Sequence, residues 1–151
     1  MRESKHYSGA GIYCLFNVMD NVIYIGASDN IANRFSQHRA NFKKAATINS
    51  MYQEPIENFV FLVLRKMTHK EFQKYGNMFE QLFIASALKD GMKLYNVINV
   101  RKDVTGTVLF AFDMYDAIKK TVKSATGSTP CTIGMMSAKT RRKLLDRLKE
   151  A

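Results

Sequence analysis

Short apolar runs and longer amphipathic segments alternate along the first hundred residues of the chain. Apolar, β-branched and aromatic residues dominate positions 10–18 and 22–26. Between them, Met19-Asp20-Asn21 predicts a tight turn, because Asp and Asn tolerate positive φ angles. A third apolar run covers about 59–64, after a looser stretch through Pro55. The pattern predicts three strands, of which the first two form a hairpin.

A helix is predicted between the second and third strands. Ser28 or Asp29 is the expected N-cap, and the helical spacing continues to about Ala46. Arg34 lies at the edge of the apolar face. That face is formed by Ile31, Phe35, His38, Phe42 and Ala45.

A second helix follows the third strand. Thr68 and Glu71 form a capping box at its start, and it is predicted to end before Gly91. Gly76 lies inside it and suggests a kink or a break. The run 94–98 reads as a short extended segment that closes the core region.

The pattern is weaker after Arg101. The run 108–112 fits a strand or the start of a helix that reaches Val122, and periodicity does not decide between them. The segment 124–130 is rich in turn residues, and a basic helix is predicted from Ser137 to the end. The layout is an αβ core over 8–100 with a basic extension over 101–151.

The net charge of +10 favours a polyanionic partner. Residues 101–151 carry 11 basic and 5 acidic groups, so one third of the chain holds more than half of the excess. A hydrophobic content of 46% is typical of a globular domain and argues against disorder. Charge alone therefore indicates nucleic acid but no particular chemistry.

Other classes of protein are disfavoured. The longest apolar run is much shorter than the ~18 residues of a membrane span, so we expect no membrane partner. The basic residues of segment 1–6 precede no apolar stretch, which argues against a signal peptide. Cys14 and Cys131 are too few for a disulfide framework and too isolated for a zinc site. We expect reduced thiols in a cytosolic protein.

Two tripeptides on the predicted hairpin carry the functional signal. Gly11-Ile12-Tyr13 and Tyr24-Ile25-Gly26 place their tyrosines eleven positions apart. Four polar residues follow in order: Arg34, His38, Glu80 and Asn96. With these letters and spacings, residues 10–98 resemble the GIY-YIG nuclease family. The resemblance implies a small antiparallel sheet of three strands flanked by helices, and metal-dependent hydrolysis of a DNA phosphodiester.

The resemblance also implies roles for the two tyrosines and the histidine. Tyr13 matches the tyrosine that activates the attacking water or relays its proton, and Tyr24 matches the second tyrosine of the site. His38 matches a histidine that acts as a base or as a hydrogen-bond partner to a tyrosine. An unperturbed tyrosine, with a pKa of about 10, is a poor base at neutral pH, so a cation and His38 would have to assist it.

The other three residues would handle the phosphate and the metal. Arg34 matches the arginine that contacts the scissile phosphate, which a guanidinium can bind bidentately. Glu80 matches the carboxylate that holds Mg²⁺ or Mn²⁺, and Asn96 an asparagine that supports the site. Some relatives carry another histidine further along, but residues 41–58 contain none. The role of that histidine is therefore unfilled here or taken by water.

We expect duplex DNA as the partner, in the cytoplasm of a bacterium or a phage-infected host, with a homodimer on DNA as one route to cutting both strands. The expected DNA contacts are Arg39, Lys43, Lys44, Lys139, Arg141 and Arg142. The extension weakly resembles the helix-turn-helix repeats of some homing nucleases. A basic helix packed on the core with a solvated charged face explains it equally well.

Three functions remain open from the sequence. The first is a homing-type or restriction-type endonuclease. The second is a structure-specific repair or recombination nuclease that prefers branched DNA. The third is a DNA-binding module that keeps the fold without catalysis.

Overall fold

The structure is a computed structural model and describes residues 7–96 and 114–150. The predicted strand or helix at 108–112, the end of the segment 94–98 and the boundary at residue 100 lie outside these ranges. The division into a catalytic domain over 8–100 and an extension over 101–151 therefore stays a prediction.

A four-stranded mixed sheet forms the centre of the molecule, in the order β3-β1-β2-β4. Its strands are β1 (Ala10–Asn17), β2 (Val22–Ser28), β3 (Phe59–Met67) and β4 (Lys93–Leu94). The three antiparallel strands agree with the sequence prediction, and Asn21 has the positive φ (57°) expected of the hairpin turn. The two-residue β4, which pairs in parallel with β2, overlaps the predicted extended segment 94–98 at Leu94, but its short length hid its pairing in the sheet from the sequence pattern.

Helices cover both faces of the sheet. On one face lies α1 (Ile31–Lys43), followed by 3₁₀ turns at Ser50–Gln53 and Ile56–Asn58. On the other face lies α2 (His69–Lys89), which begins at the predicted Thr68 cap and continues through Gly76. The helix is therefore not broken at Gly76.

Three helices of the extension join α2 on its face of the sheet. They are α3 (Tyr115–Thr126), α4 (Pro130–Met135) and α5 (Ala138–Glu150). The sequence pattern did not predict the short α4, because the turn residues around Pro130 obscure a helix of about one and a half turns. One apolar cluster contains residues of β1 and β2 together with Ile118, Ile133, Leu144 and Leu145. The extension is thus packed into the core.

The limits of α1 differ from the prediction. Asn30 is the N-cap, because its side chain accepts a hydrogen bond from the Asn33 backbone N–H, while Ser28 bonds to Asn30 itself. The helix ends at Lys43, and Ala45 adopts a positive φ (48°) in an exposed position. Ala45 is therefore not part of the buried face.

Candidate active site

The first tripeptide places Tyr13 in the middle of β1, under α1. The side chain of Tyr13 is only 1% exposed, and its ring stacks on Phe61 of β3 with centroids 5.0 Å apart. Gly26 of β2 is the cross-strand partner of Tyr13. A Cβ atom at Gly26 would lie 2.4 Å from the Tyr13 hydroxyl, so the tyrosine can occupy this place only over a glycine.

The glycine at the start of the same tripeptide has a different function. A Cβ atom at Gly11 would lie 2.1 Å from the backbone carbonyl oxygen of Arg65 in β3. The register between β1 and β3 shifts at Ile12 and Tyr13, immediately after this close approach. Gly11 thus permits the strand pairing that sets the position of Tyr13.

Helix α1 contributes two polar groups one turn apart. His38 is 3% exposed and points at the sheet, as its place on the apolar face predicted. Arg34, at the edge of that face, is exposed. Its guanidinium therefore escapes the cost of burying a charge and is free to meet an anion.

His38 is surrounded by three tyrosines. Its Nε2 atom lies 2.8 Å from the Tyr13 hydroxyl, and its Nδ1 atom lies 2.8 Å from the Tyr52 hydroxyl. The Tyr24 ring packs edge-on against the imidazole with centroids 5.5 Å apart. The imidazole therefore connects the two tyrosines of the tripeptides to a third from the 3₁₀ turn.

Burial controls the protonation of this cluster. Burial, together with the positive charge of Arg34, lowers the pKa of His38 to about 4, so its imidazole is neutral at pH 7. Burial raises the pKa of Tyr13 well above its ordinary value, and Tyr24 adds to that effect. Burial also raises the pKa of Tyr24, while a hydrogen bond with Tyr13 opposes the shift. Tyr13 and Tyr24 are therefore neutral phenols at pH 7 unless a nearby cation stabilises the phenolate.

Glu80 reaches the same site from α2. It is half-buried, and burial raises the pKa of its carboxyl group, whereas a backbone hydrogen bond at Ala27 and the charge of Arg34 act to lower it. Its charge in turn raises the pKa values of Tyr13 and Tyr24. The structure thus brings one carboxylate from α2, on the opposite face of the sheet, close enough to act on both tyrosines.

A model of the GIY-YIG catalytic domain matches residues 9–94, which is more than half of the chain. This protein belongs to the GIY-YIG family. The family is a nuclease family, and the sheet with its flanking helices is consistent with the family fold. No curated protein and no solved structure matches the chain.

In this GIY-YIG domain, Asn96 lies behind the site. Its side-chain amide donates to the Ile25 carbonyl at 2.7 Å and accepts from the Ile25 backbone N–H at 3.0 Å. The side chain therefore replaces a strand residue at the edge of β2, next to Tyr24. Its expected supporting role remains a prediction, and this geometry favours it.

Tyr52 is the member of the cluster that sequence reasoning missed. It lies in a 3₁₀ turn whose N-cap is Asn49, and it is 5% exposed. No spacing relates it to the tripeptides. The sequence held only an indirect signal for it. Residues 41–58 lack the second histidine of some relatives, and Tyr52 of that segment contacts His38.

The donor set of the site fits a hard divalent cation. Glu80 supplies one carboxylate, and its charge acts on Tyr13 and Tyr24. Across the two described ranges, no group of three or more His, Cys, Asp or Glu side chains is placed to hold a metal ion. Mg²⁺ keeps several waters and is often bound through one or two carboxylates plus substrate phosphate, so a single glutamate suffices for it.

The basic residues expected to contact DNA lie on opposite faces of the sheet. Arg39 and Lys43 of α1 and the adjacent Lys44 are exposed, and the first two line a cleft of about 620 Å³ between α1 and the 3₁₀ segment. On α5, Lys139 is exposed and Arg142 contacts the Asn58 side chain at 3.5 Å.

Arg141 of α5 has a structural set of contacts. Its guanidinium donates to the carbonyl oxygens of Ile133 and Gly134, both at 2.9 Å, and to that of Met19 in the hairpin turn. These bonds join α4 and α5 to the end of the sheet. A DNA contact from Arg141 remains a prediction that would compete with them.

Within the ranges that the structure describes, no helix has the length and apolar character to cross a membrane.

Proposed function

We propose that this protein is a DNA endonuclease that hydrolyses phosphodiester bonds with Mg²⁺ or Mn²⁺, of the homing or restriction type. The observation that carries the proposal is the cluster of Tyr13, Tyr24 and His38 under α1, with an exposed Arg34 and the Glu80 carboxylate close enough to act on the tyrosines. A purely structural core has no use for this combination, because each buried polar group costs free energy.

The geometry supports a division of work between the two tyrosines. Tyr24 is half-buried, whereas Tyr13 is nearly inaccessible. Tyr24 is therefore the phenol placed to contact an attacking water. Tyr13 lies behind it, with its ring 6.4 Å from that of Tyr24 between centroids and its hydroxyl hydrogen-bonded to His38, and supports Tyr24 from the buried side.

Arg34 and Glu80 act on the phosphate side. The exposed guanidinium of Arg34 binds the non-bridging oxygens and stabilises the negative charge that develops on the phosphate. Glu80 holds the cation. The bound cation supplies charge neutralisation at the phosphate and lowers the pKa of nearby water.

Exposed basic residues of α1 would hold the duplex over this site. Arg39 and Lys43 lie on the helix that also carries Arg34 and His38, and Lys44 follows its last residue, so phosphates along one strand can bind them in succession. Cutting both strands with one such site needs two subunits on the DNA or two successive nicks.

The test is cleavage of supercoiled and linear duplex DNA with Mg²⁺, with EDTA, and with Glu80→Gln. Glu57→Gln, an exposed acid in a 3₁₀ turn, is the matched control. We expect discrete fragments that require the metal and persist in the control. In Glu80→Gln we expect a loss of about 1,000-fold, or about 4 kcal/mol.

Two other results would change the proposal. Cleavage confined to flapped or branched DNA would assign a structure-specific repair or recombination nuclease. Salt-sensitive binding without cleavage of any of these substrates would assign a non-catalytic DNA-binding module.

A further inference from the structure

The hydrogen bond between Tyr52 and His38 has a direction that the surrounding groups determine. Tyr52 is buried, and its ring packs edge-on against Phe42 with centroids 5.1 Å apart. Its hydroxyl lies 2.8 Å from His38 Nδ1 and receives a hydrogen bond at 3.3 Å from the side-chain amide of Asn41. The side chain is therefore fixed by packing as well as by polar contacts.

The donors and acceptors then follow in sequence. The Tyr52 oxygen accepts from the Asn41 amide, which can only donate. Among the described residues, His38 Nδ1 is the one acceptor in hydrogen-bond contact with the Tyr52 hydroxyl, so the Tyr52 hydrogen is directed to it. A neutral imidazole carries one N–H, which must then lie on Nε2. That N–H donates to the Tyr13 hydroxyl, which leaves the Tyr13 hydrogen available to Tyr24, whose ring lies 6.4 Å from that of Tyr13 between centroids.

The charges around His38 keep it neutral. Tyr13 faces it from β1, Tyr24 from β2 and Tyr52 from the 3₁₀ turn, and Arg34 lies one turn away on its own helix. None of these groups supplies the negative charge that would stabilise an imidazolium, and burial acts in the same direction. The Glu80 carboxylate on α2 raises the pKa values of Tyr13 and Tyr24 but does not offset the lowered pKa of His38. His38 is therefore a poor proton acceptor at neutral pH.

We propose that Tyr52 is a positioning residue that holds His38 as its Nε2–H tautomer, so that His38 donates to Tyr13 and does not act as a base. The chain of donors from Tyr52 through His38 and Tyr13 then ends at Tyr24, where it stabilises a phenolate. The catalytic consequence rests on the proposed nuclease function, whereas the tautomer is a property of the protein alone.

The tautomer is measurable by long-range ¹H–¹⁵N correlation spectra of the ring nitrogens, at pH 7 without DNA or metal. The chain has three histidines, His6, His38 and His69, so a His38→Gln spectrum assigns the signals. We expect a protonated Nε2 and an unprotonated Nδ1 in the wild type. A protonated Nδ1 would overturn the proposal.

Tyr52→Phe keeps the ring and removes the hydroxyl. We expect the preference for the Nε2–H tautomer to weaken, while Tyr75→Phe, a change at an exposed ring of α2, leaves the His38 signals unchanged. Unchanged His38 signals in Tyr52→Phe would overturn the role of Tyr52. If this variant does not fold, Asn41→Ala removes the donor that orients the Tyr52 hydroxyl, and it must weaken the same preference or the proposal fails.

Kinetics give a second readout. In Tyr52→Phe we expect kcat to fall about tenfold with KM within about twofold, because the lost bond acts on the reacting phenols and not on DNA binding. An active nuclease whose His38 carries its proton on Nδ1 would refute this proposal and leave the nuclease function intact. An inactive protein with an Nε2–H His38 would refute the function and leave the tautomer assignment intact.

Discussion

The two faces of the sheet bury side chains of different chemistry. Under α2–α5 the buried residues are almost entirely aliphatic or aromatic, such as Ile12, Ile25 and Phe83. Under α1 the buried cluster contains Tyr13 and Tyr52, with His38 hydrogen-bonded between them. Successive residues of one strand point to opposite faces, so β1 supplies both environments.

The two faces of this small sheet therefore have different roles: one mainly stabilises the fold, and the other holds the polar residues of the candidate site. The face under α2–α5 gains free energy by removing apolar surface from water. The face under α1 uses part of its interior for polar groups that are costly to bury and stay only because they are hydrogen-bonded to one another. The extension contributes to the first face, and the predicted catalytic groups of α1 to the second.

The largest expected effect is on the apolar face. Phe83 of α2 is 1% exposed, so Phe83→Ala should lower the free energy of unfolding by about 3–5 kcal/mol through lost burial and a cavity. Urea denaturation measures this loss, and Leu88→Ala, at an exposed position of the same helix, should cost less than about 1 kcal/mol. Equal losses in the two variants would contradict the assignment of stability to this face.

The site face should lose stability in acid. The pKa of His38 is about 4 in the folded protein and about 6.5 in an unfolded chain, so the unfolded state takes up a proton first as the pH falls. The free energy of unfolding should therefore decrease between pH 6.5 and pH 4, by about 3 kcal/mol from this group.

The control for the acid effect is His38→Gln. Its free energy of unfolding is compared with that of the wild type by urea denaturation at each pH. The raised pKa of Glu80 acts in the opposite direction in both proteins, so it cancels in the difference. The same pH dependence in the wild type and in His38→Gln would show that His38 is not the cause.

A smaller effect is expected from a substitution at Gly26, which pairs with Tyr13 between β2 and β1. Gly26→Ala places a Cβ atom against Tyr13, so we expect a cleavage rate about 100-fold lower, equivalent to about 3 kcal/mol. A double-mutant cycle with Tyr13→Phe checks the mechanism. If the alanine acts by displacing the Tyr13 hydroxyl, it should add little in the phenylalanine background, whereas full additivity would refute this explanation.

The smallest effect concerns DNA binding on the two faces. Lys43→Ala with Lys44→Ala at the C-terminal end of α1 should reduce the salt dependence of DNA affinity by a slope of about 2 and the affinity by about 1 kcal/mol. Lys139→Ala with Arg142→Ala on α5, the opposite face, should have the smaller effect on the slope.

Binding assays over a range of salt concentrations measure both pairs. A larger change from the α5 pair would place the main DNA contact on the extension. Point substitutions are preferable to truncation here, because α4 and α5 bury Ile133, Leu144 and Leu145 in the core.

Local patterns predicted much of this fold. The hairpin turn at 19–21, the Thr68 cap and the buried face of α1 followed from turn chemistry, capping and periodicity, and the structure confirms them except for Ala45. The predicted N-cap of α1 was wrong because Ser28, Asp29 and Asn30 are all good capping residues, and only the hydrogen bonds distinguish them. The two-residue β4 depends on pairing with β2, which has no local signal.

The sequence by itself determined which residue types were available for the site and that they formed a recognisable order, because the two tripeptides and the residues after them have fixed spacings. It also determined that Gly11 and Gly26 lie on the two strands of the predicted hairpin that carries Tyr13. The tertiary structure alone decided that Tyr52 contacts His38, that Glu80 comes to the site from the opposite layer, and that Arg34 is exposed while His38 is buried. The reason is physical: spacing fixes neighbours within one element, whereas contacts between elements depend on how their faces pack.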